Sequence, residues 1–258
     1  MSIFLSLGRQ RLKAALAYRG DLAASALSNV LIVCTGLVFL VALMDKVPRM
    51  GDWSRAQMVF TWGFAECAIG VLYLLFGGLF VANHRYILGG ELDRTLLRPA
   101  NPLGQLLAEN LGIDDVSVIL VGLAVMGWAA PGIEGVESWR WLLLPFFLLS
   151  ATFTLGGLLI GFVSVGLRLH HRGTAVGLVS HLAIFNRYPI DLFGPPLRWL
   201  LTFALPLAFA GFYPASFFLG GDRFLVYAVA TPAVALTTLS LGYAAWHHGL
   251  RSWSSTGT

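Results

Sequence analysis

The sequence is short of charge, and shorter still of lysine. Asp, Glu, Lys and Arg make up 12% of its 258 residues, about half the share of a soluble chain. A soluble fold of this size would not cover its surface with so few charges. Lysine occurs only as Lys13, after Leu12, and Lys46, after Asp45. Neither stands in the Gly-Lys-Ser/Thr of a P-loop, so the chain does not bind and split ATP by that route. Cysteine is equally scarce. Cys34 and Cys67 both lie inside apolar runs, which excludes a disulfide scaffold and reads as buried packing. Disorder and collagen-like repeats are excluded by the same composition.

What is abundant is apolar. Hydrophobic residues make up 57%, with 18 Phe, 8 Trp and 7 Tyr, and the mean hydropathy is +0.75. The chain is built for lipid. Its net charge of +4 and pI near 9.3 would hint at nucleic acid in a soluble protein. Here the bases sit at the ends of apolar runs, where anionic headgroups and positive-inside placement account for them, and no nucleic-acid partner is expected.

About 20 apolar residues cross a bilayer as a helix. Leu22–Met44, Ala56–Val81 (with Glu66 as its one charge), Trp141–Leu167 and Phe224–Leu250 read as clear spans, and Val116–Ile133 as a short one. Gly173–Asn186 is short but reaches span length if it runs on toward Phe193, with Arg187 and Asp191 at the outer interface. Gly194-Pro195-Pro196 then stops it. Trp199–Gly221 contains Pro206 and Pro214. It reads as a hairpin of two short helices, Leu197–Pro206 and Phe209–Leu219, packed on the bundle at the outer side, with a seventh, kinked span as the competing reading. The fold class expected is all-α polytopic, with six transmembrane helices in a single domain over 1–258.

Met1–Gly20 does not read as a signal peptide, because the apolar run that follows its bases is too long for an h-region. Leu5, Leu12 and Leu16 share a helical face, which suits a helix lying in the cytoplasmic interface. With the N-terminus inside, inner segments hold ten of the 17 basic residues, the sign that the positive-inside rule requires. Both termini are then cytoplasmic.

The loop after the second span is the most informative stretch. Gly89-Gly90 ends the membrane helix, Glu91–Arg98 suits two turns of helix, and Pro99 stops it. Leu88, Leu92 and Leu96 fall on one face at i, i+4, and Glu91 and Arg94 pair at i, i+3 on another. A short helix with an apolar stripe and flanking arginines, held at the membrane surface, suits a socket on a soluble partner. It equally suits a helix that only lines headgroups.

Gly-Glu-Leu-Asp-Arg-x-Leu-Leu-Arg-Pro-x-Asn-Pro-Leu, at Gly90–Leu103, resembles the cytoplasmic loop of ABC-2 type permeases, and in particular a bacterial subfamily of permease-only chains. Phe185-Asn-Arg-Tyr-Pro-Ile-Asp, Leu197–Pro206 and Tyr213-Pro214 are similar to that subfamily's region before the last span. The wider group has a short outer hairpin there, which would contain Tyr188, Pro189, Pro206 and Pro214. The resemblance covers essentially the whole chain. It implies the transmembrane subunit of an exporter in the bacterial inner membrane, not itself an enzyme. The partners implied are a second permease subunit, identical or homologous, two copies of a separate ATPase that binds ATP and magnesium, and membrane lipid. This chain would bind no cofactor. Gly90, Glu91, Leu92, Arg94, Leu96 and Arg98 would couple it to the ATPase.

Glu66 is the only acid deep in a span, where a charge is costly unless it faces a polar cavity or a partner. Two readings stand. It lines a substrate path with Trp62 and Tyr73 and favours cationic cargo, or it is a hydrogen-bonded packing residue at a subunit interface. His181 is a weaker instance of the same choice. Glu109, Asp114 and Asp115 lack the spacing of a zinc or calcium site and read as capping residues. A lipid-modifying membrane enzyme would need acid, base or metal ligands at one depth, and a secondary transporter would favour inverted repeats. The sequence displays neither.

Overall fold

The computed structural model describes residues 2–47, 50–133, 138–169, 181–220 and 224–253. Among these there is no strand, and five helical segments are long and apolar enough to cross a membrane. Helix α1 (Ser2–Ala17) breaks at Tyr18 and is followed by α2 (Arg19–Lys46). Leu5, Leu12 and Leu16 are exposed along α1, as a helix lying in an interface requires. Helix α3 (Arg55–Phe76) starts at a capping box in which Ser54 and Gln57 satisfy each other's backbone N–H.

Helix α3 is the axis of the bundle. Every residue from Met58 to Gly70 is buried, so no face of it is left for lipid. Glycines make this possible. A Cβ on Gly122 of α7 (Val116–Ala129) would lie 2.8 Å from the backbone N of Cys67 and the carbonyl O of Gly63. The two backbones therefore touch, as small residues allow in membrane helices. Short 3₁₀ turns, Ile113–Asp115 and Ala130–Gly132, extend α7 to span length. The same device joins α8 (Leu144–Leu169) to α11 (Phe224–Arg251): a Cβ on Gly242 would meet the Gly157 carbonyl at 2.2 Å.

Past α3 the chain runs through α4 (Gly78–Val81), a π-helical turn (Ala82–Leu88), α5 (Glu91–Leu96) and α6 (Pro102–Glu109). These, with α1, form the near end of the bundle. The proline-rich segment comprises α9 (Pro195–Trp199), a π turn (Leu200–Ala204), a 3₁₀ turn (Leu207–Ala210) and α10 (Phe212–Ser216). Its two turns enter the bundle beside α8 and α11, and α10 leads into the aromatic cluster at the far end. None of these helices is by itself long enough to span, as the short-helix reading of this segment expects. The segment packs on the bundle as its freed backbone groups demand. Leu201, Leu207, Ala210 and Phe212 join one buried cluster, while Phe217 and Phe218 join Phe60, Phe64 and Phe147 in another.

The span expected over Gly173–Phe193 lies partly outside the described residues. Its described part holds two separate 3₁₀ turns, Ala183–Arg187 and Ile190–Leu192. Pro189 explains the break: it has no N–H and pushes Tyr188 into extended backbone (φ −124°, ψ 146°).

Candidate functional site

Two regions concentrate the polar side chains that a membrane bundle of this kind has few of. The first is the near-end loop. Gly90 sits at φ +70°, a left-handed conformation in which glycine carries no Cβ penalty, and this turn launches α5 away from the end of the π turn. Helix α5 is six residues long, so Arg98 lies beyond it. Leu92 is 1% exposed and belongs to the core. The expected exposed stripe of Leu88, Leu92 and Leu96 therefore does not hold at Leu92, because that face of so short a helix is what anchors it to the bundle. The exposed apolar residues are Leu96 and Leu97, the latter 86% exposed. Arg94, three residues before Leu97, is exposed as well.

The charges around α5 pair differently from the i, i+3 expectation. Glu91 accepts from Arg85 at 2.7 Å, not from Arg94, because Arg85 projects from the preceding π turn. Arg98 pairs with Glu109 on α6. Between the two pairs, Tyr86 donates its hydroxyl to Glu109 at 2.9 Å and accepts from Asn110, whose side-chain oxygen takes a bond from Arg85. Burial, reinforced by Glu109, pushes the Tyr86 phenol up to about 12, so it remains a donor. The C-terminal end of the bundle joins the same network: Trp253 donates its indole N–H to Asp93 of α5 at 2.9 Å. Helix α5 is thus fixed from beneath by Leu92, from its start by Arg85–Glu91 and from one side by Trp253. Glu109 is an acceptor here, and Asp115 accepts from Asn29 of α2 at 3.2 Å. Among the described residues no three His, Cys, Asp or Glu side chains gather at metal-binding distance.

The second region lies halfway along α3. Glu66 forms an ion pair with Arg187, 2.5 Å apart, and its side chain is almost fully buried. Arg187 was expected at the outer interface. The 3₁₀ turn Ala183–Arg187 instead lies against α3 and brings the guanidinium to mid-helix depth. The Glu66 carboxylate is therefore neutralised within the chain. Glu66, Tyr73, Asn29, Asp115 and Arg187 line a cavity of about 340 Å³ between α2, α3 and that turn. Trp62 is fully buried and does not line it. It packs over Gly36 of α2, where a Cβ would lie 3.2 Å from its ring. His181 is exposed and also outside the cavity.

Of the other expected residues, Tyr188 packs against the far-end aromatic cluster and Pro214 is buried in α10. Pro206 lines an apolar groove between α8 and α11. Arg140 was not singled out from the sequence. It is buried at the far end, donates to the Phe217 carbonyl at 3.3 Å and lies over the Phe217 ring. Its signal was only that of an interfacial base, and the same is true of Arg187.

No curated protein and no solved structure matches the chain. The family model for ABC-2 family transporter proteins matches residues 30–257, from within α2 past the end of α11. That interval contains all the apolar spans but part of α2, the α5 loop and the proline-rich far end, and on that match the chain belongs to the ABC-2 transporter family, whose members are membrane permease components of ABC transporters.

Proposed function

We propose that the chain is the permease half of an ATP-driven exporter in a bacterial inner membrane, with the near end and both termini cytoplasmic. It pairs with a second permease subunit, and two copies of a separate ATPase bind ATP and magnesium below it. The observation that carries this reading is the construction of α5. Its base is locked into the bundle through Leu92, while Arg94, Leu96 and Leu97 stand out from it. A short helix held rigidly at one end and bare at the other transmits a push without bending. ATP-driven movement of the partner would reach the spans through Leu92 and the Arg85–Glu91 pair, and no catalytic residue is needed in this chain. The cavity around Glu66 and Arg187 is the part of the bundle that suits a substrate path, since it is polar and sits at mid-membrane depth.

Leu97→Asp combined with Leu96→Asp tests the docking role. Both residues are exposed, so the bundle should fold and insert normally, while co-purification of the ATPase from native membranes should fall by about tenfold or more. Undiminished ATPase capture and transport would refute the docking role. A reporter fused after Thr258 should read cytoplasmic and one inserted at Gly221 external. The opposite pattern would overturn the orientation.

A further inference from the structure

The near end holds a polar cavity that shares Arg94 with the exposed side of α5 but opens toward α1. It has a volume of about 490 Å³ and lies between α1, α5, the middle of the π turn and the end of α6. Arg11, Arg85, Arg94 and Arg98 line it, against two acids, Glu91 and Glu109. Both acids are already committed, Glu91 to Arg85 and Glu109 to Arg98. Two positive charges are left over. Arg94 has no ion-pair partner among the described residues. Arg11 spends its Nε on the Leu111 carbonyl, 3.1 Å away, which orients the rest of the guanidinium. On a helix of 100° per residue, Leu7, Gln10, Arg11 and Ala14 of the cavity wall fall on the face opposite Leu5, Leu12 and Leu16. Helix α1 therefore turns Leu5, Leu12 and Leu16 outward and Arg11 toward α5.

Converging guanidiniums with a net positive balance at the level where the spans end fit one chemistry. Planar, always charged forks bind phosphate oxygens in pairs, and a site at the membrane surface meets phosphate from lipid headgroups as well as from solution. We propose that this cavity binds a phosphate group, held between Arg11 of α1 and Arg94 of α5. The bound group ties the surface helix α1 to α5. The proposal goes beyond the docking of α5, and it is tested on the purified chain with no ATPase present, so the two stand or fall separately.

The experiment is native mass spectrometry and thermal unfolding of the full chain, delipidated in a neutral detergent. It is titrated in separate arms with inorganic phosphate, phosphatidylglycerol and, as a control, phosphatidylcholine. One saturable adduct of phosphatidylglycerol alone supports the site and assigns the phosphate to lipid. One of inorganic phosphate supports it with a soluble source. Either should weaken by about tenfold in Arg11→Gln and again in Arg11→Gln/Arg94→Gln, the loss of charge-assisted hydrogen bonds. Lys13→Gln, which removes a base of α1 outside the cavity, should leave binding unchanged. The proposal is overturned if no saturable adduct forms, if Arg11→Gln binds like the unaltered chain, or if Lys13→Gln weakens binding as much as Arg11→Gln.

Discussion

Arg187 closes on Glu66 in the middle of the bundle, joining a 3₁₀ turn to the central helix α3. Each charge is the other's means of staying in a poorly solvated place. Removing Arg187 leaves the Glu66 side chain, 2% exposed, buried and uncompensated, which typically costs about 3–5 kcal/mol. Arg187 is 27% exposed, so removing Glu66 costs less. Arg187→Gln should therefore lower the unfolding midpoint of the detergent-purified protein sharply, and Glu66→Gln should lower it less. The double variant Glu66→Gln/Arg187→Gln should lose less than the two single changes added together. Strict additivity in that cycle would show that the pair carries no coupling. The pairing also bears on cargo. A carboxylate neutralised inside the chain gives a cationic substrate no free counter-charge, so selection for cations at Glu66 would require Arg187 to swing away.

The spans were legible because hydropathy over about 20 residues is a one-dimensional property. Helices α2, α3, α8 and α11 fall within a few residues of their apolar runs. The hairpin region was legible because Pro195, Pro196, Pro206 and Pro214 act locally on the backbone. What escaped was pairing at a distance. Arg187 looked interfacial because nothing in its neighbourhood announces that Pro189 breaks the segment and sets a turn against α3. In the loop, i, i+4 spacing placed Leu92 and Leu96 on one face but could not say which residues of that face the bundle covers. Glu91 found Arg85 rather than Arg94 because Arg85 projects from a π turn, which spacing rules do not reveal.

Leu92 and Leu97 are five residues apart and opposite in environment. Leu92→Ala removes a fully buried side chain from the point where α5 meets the core, and a change of that kind costs about 2–5 kcal/mol. Leu97→Ala removes a side chain that is 86% exposed and should change stability by less than about 0.5 kcal/mol. Thermal unfolding of the isolated permease distinguishes the two. Equal effects would mean that α5 is not anchored through Leu92.

The α8–α11 crossing depends on bare backbone. A side chain at Gly242 would have to enter the space held by the Gly157 carbonyl, and one at Gly157 would strike the backbone of Thr238 and Leu239 at about 2.5 Å. No rotamer relieves a clash with backbone. Gly157→Leu or Gly242→Leu should separate the helices and cost several kcal/mol, at the upper end of the range for overpacking. Gly161→Leu, one turn along α8, meets nothing within 4 Å and should be tolerated. Protease resistance of membrane-inserted protein reads the difference. An intact crossing in Gly242→Leu would contradict the packing.

Tyr86 offers a test by pH. Its hydroxyl is the donor that Glu109 accepts and the acceptor that Asn110 uses. The protein holds the phenol at about 12, against about 10 in an unfolded chain. The folded state thus favours the protonated form. That contribution is complete below pH 10 and is lost as the pH rises toward 12, because the unfolded chain gives up the proton first. In a spectroscopic titration at constant ionic strength, Tyr86 should ionise well after the exposed tyrosines, and Tyr86→Phe should remove one tyrosine's worth of the late component. The same variant leaves Glu109 without its phenol donor and Asn110 with one partner fewer, at a cost of about 1–3 kcal/mol. The alkaline fall in stability seen in the unaltered chain should then be shallower. A late component of undiminished amplitude in Tyr86→Phe would show that Tyr86 is not held protonated by its place between Glu109 and Asn110.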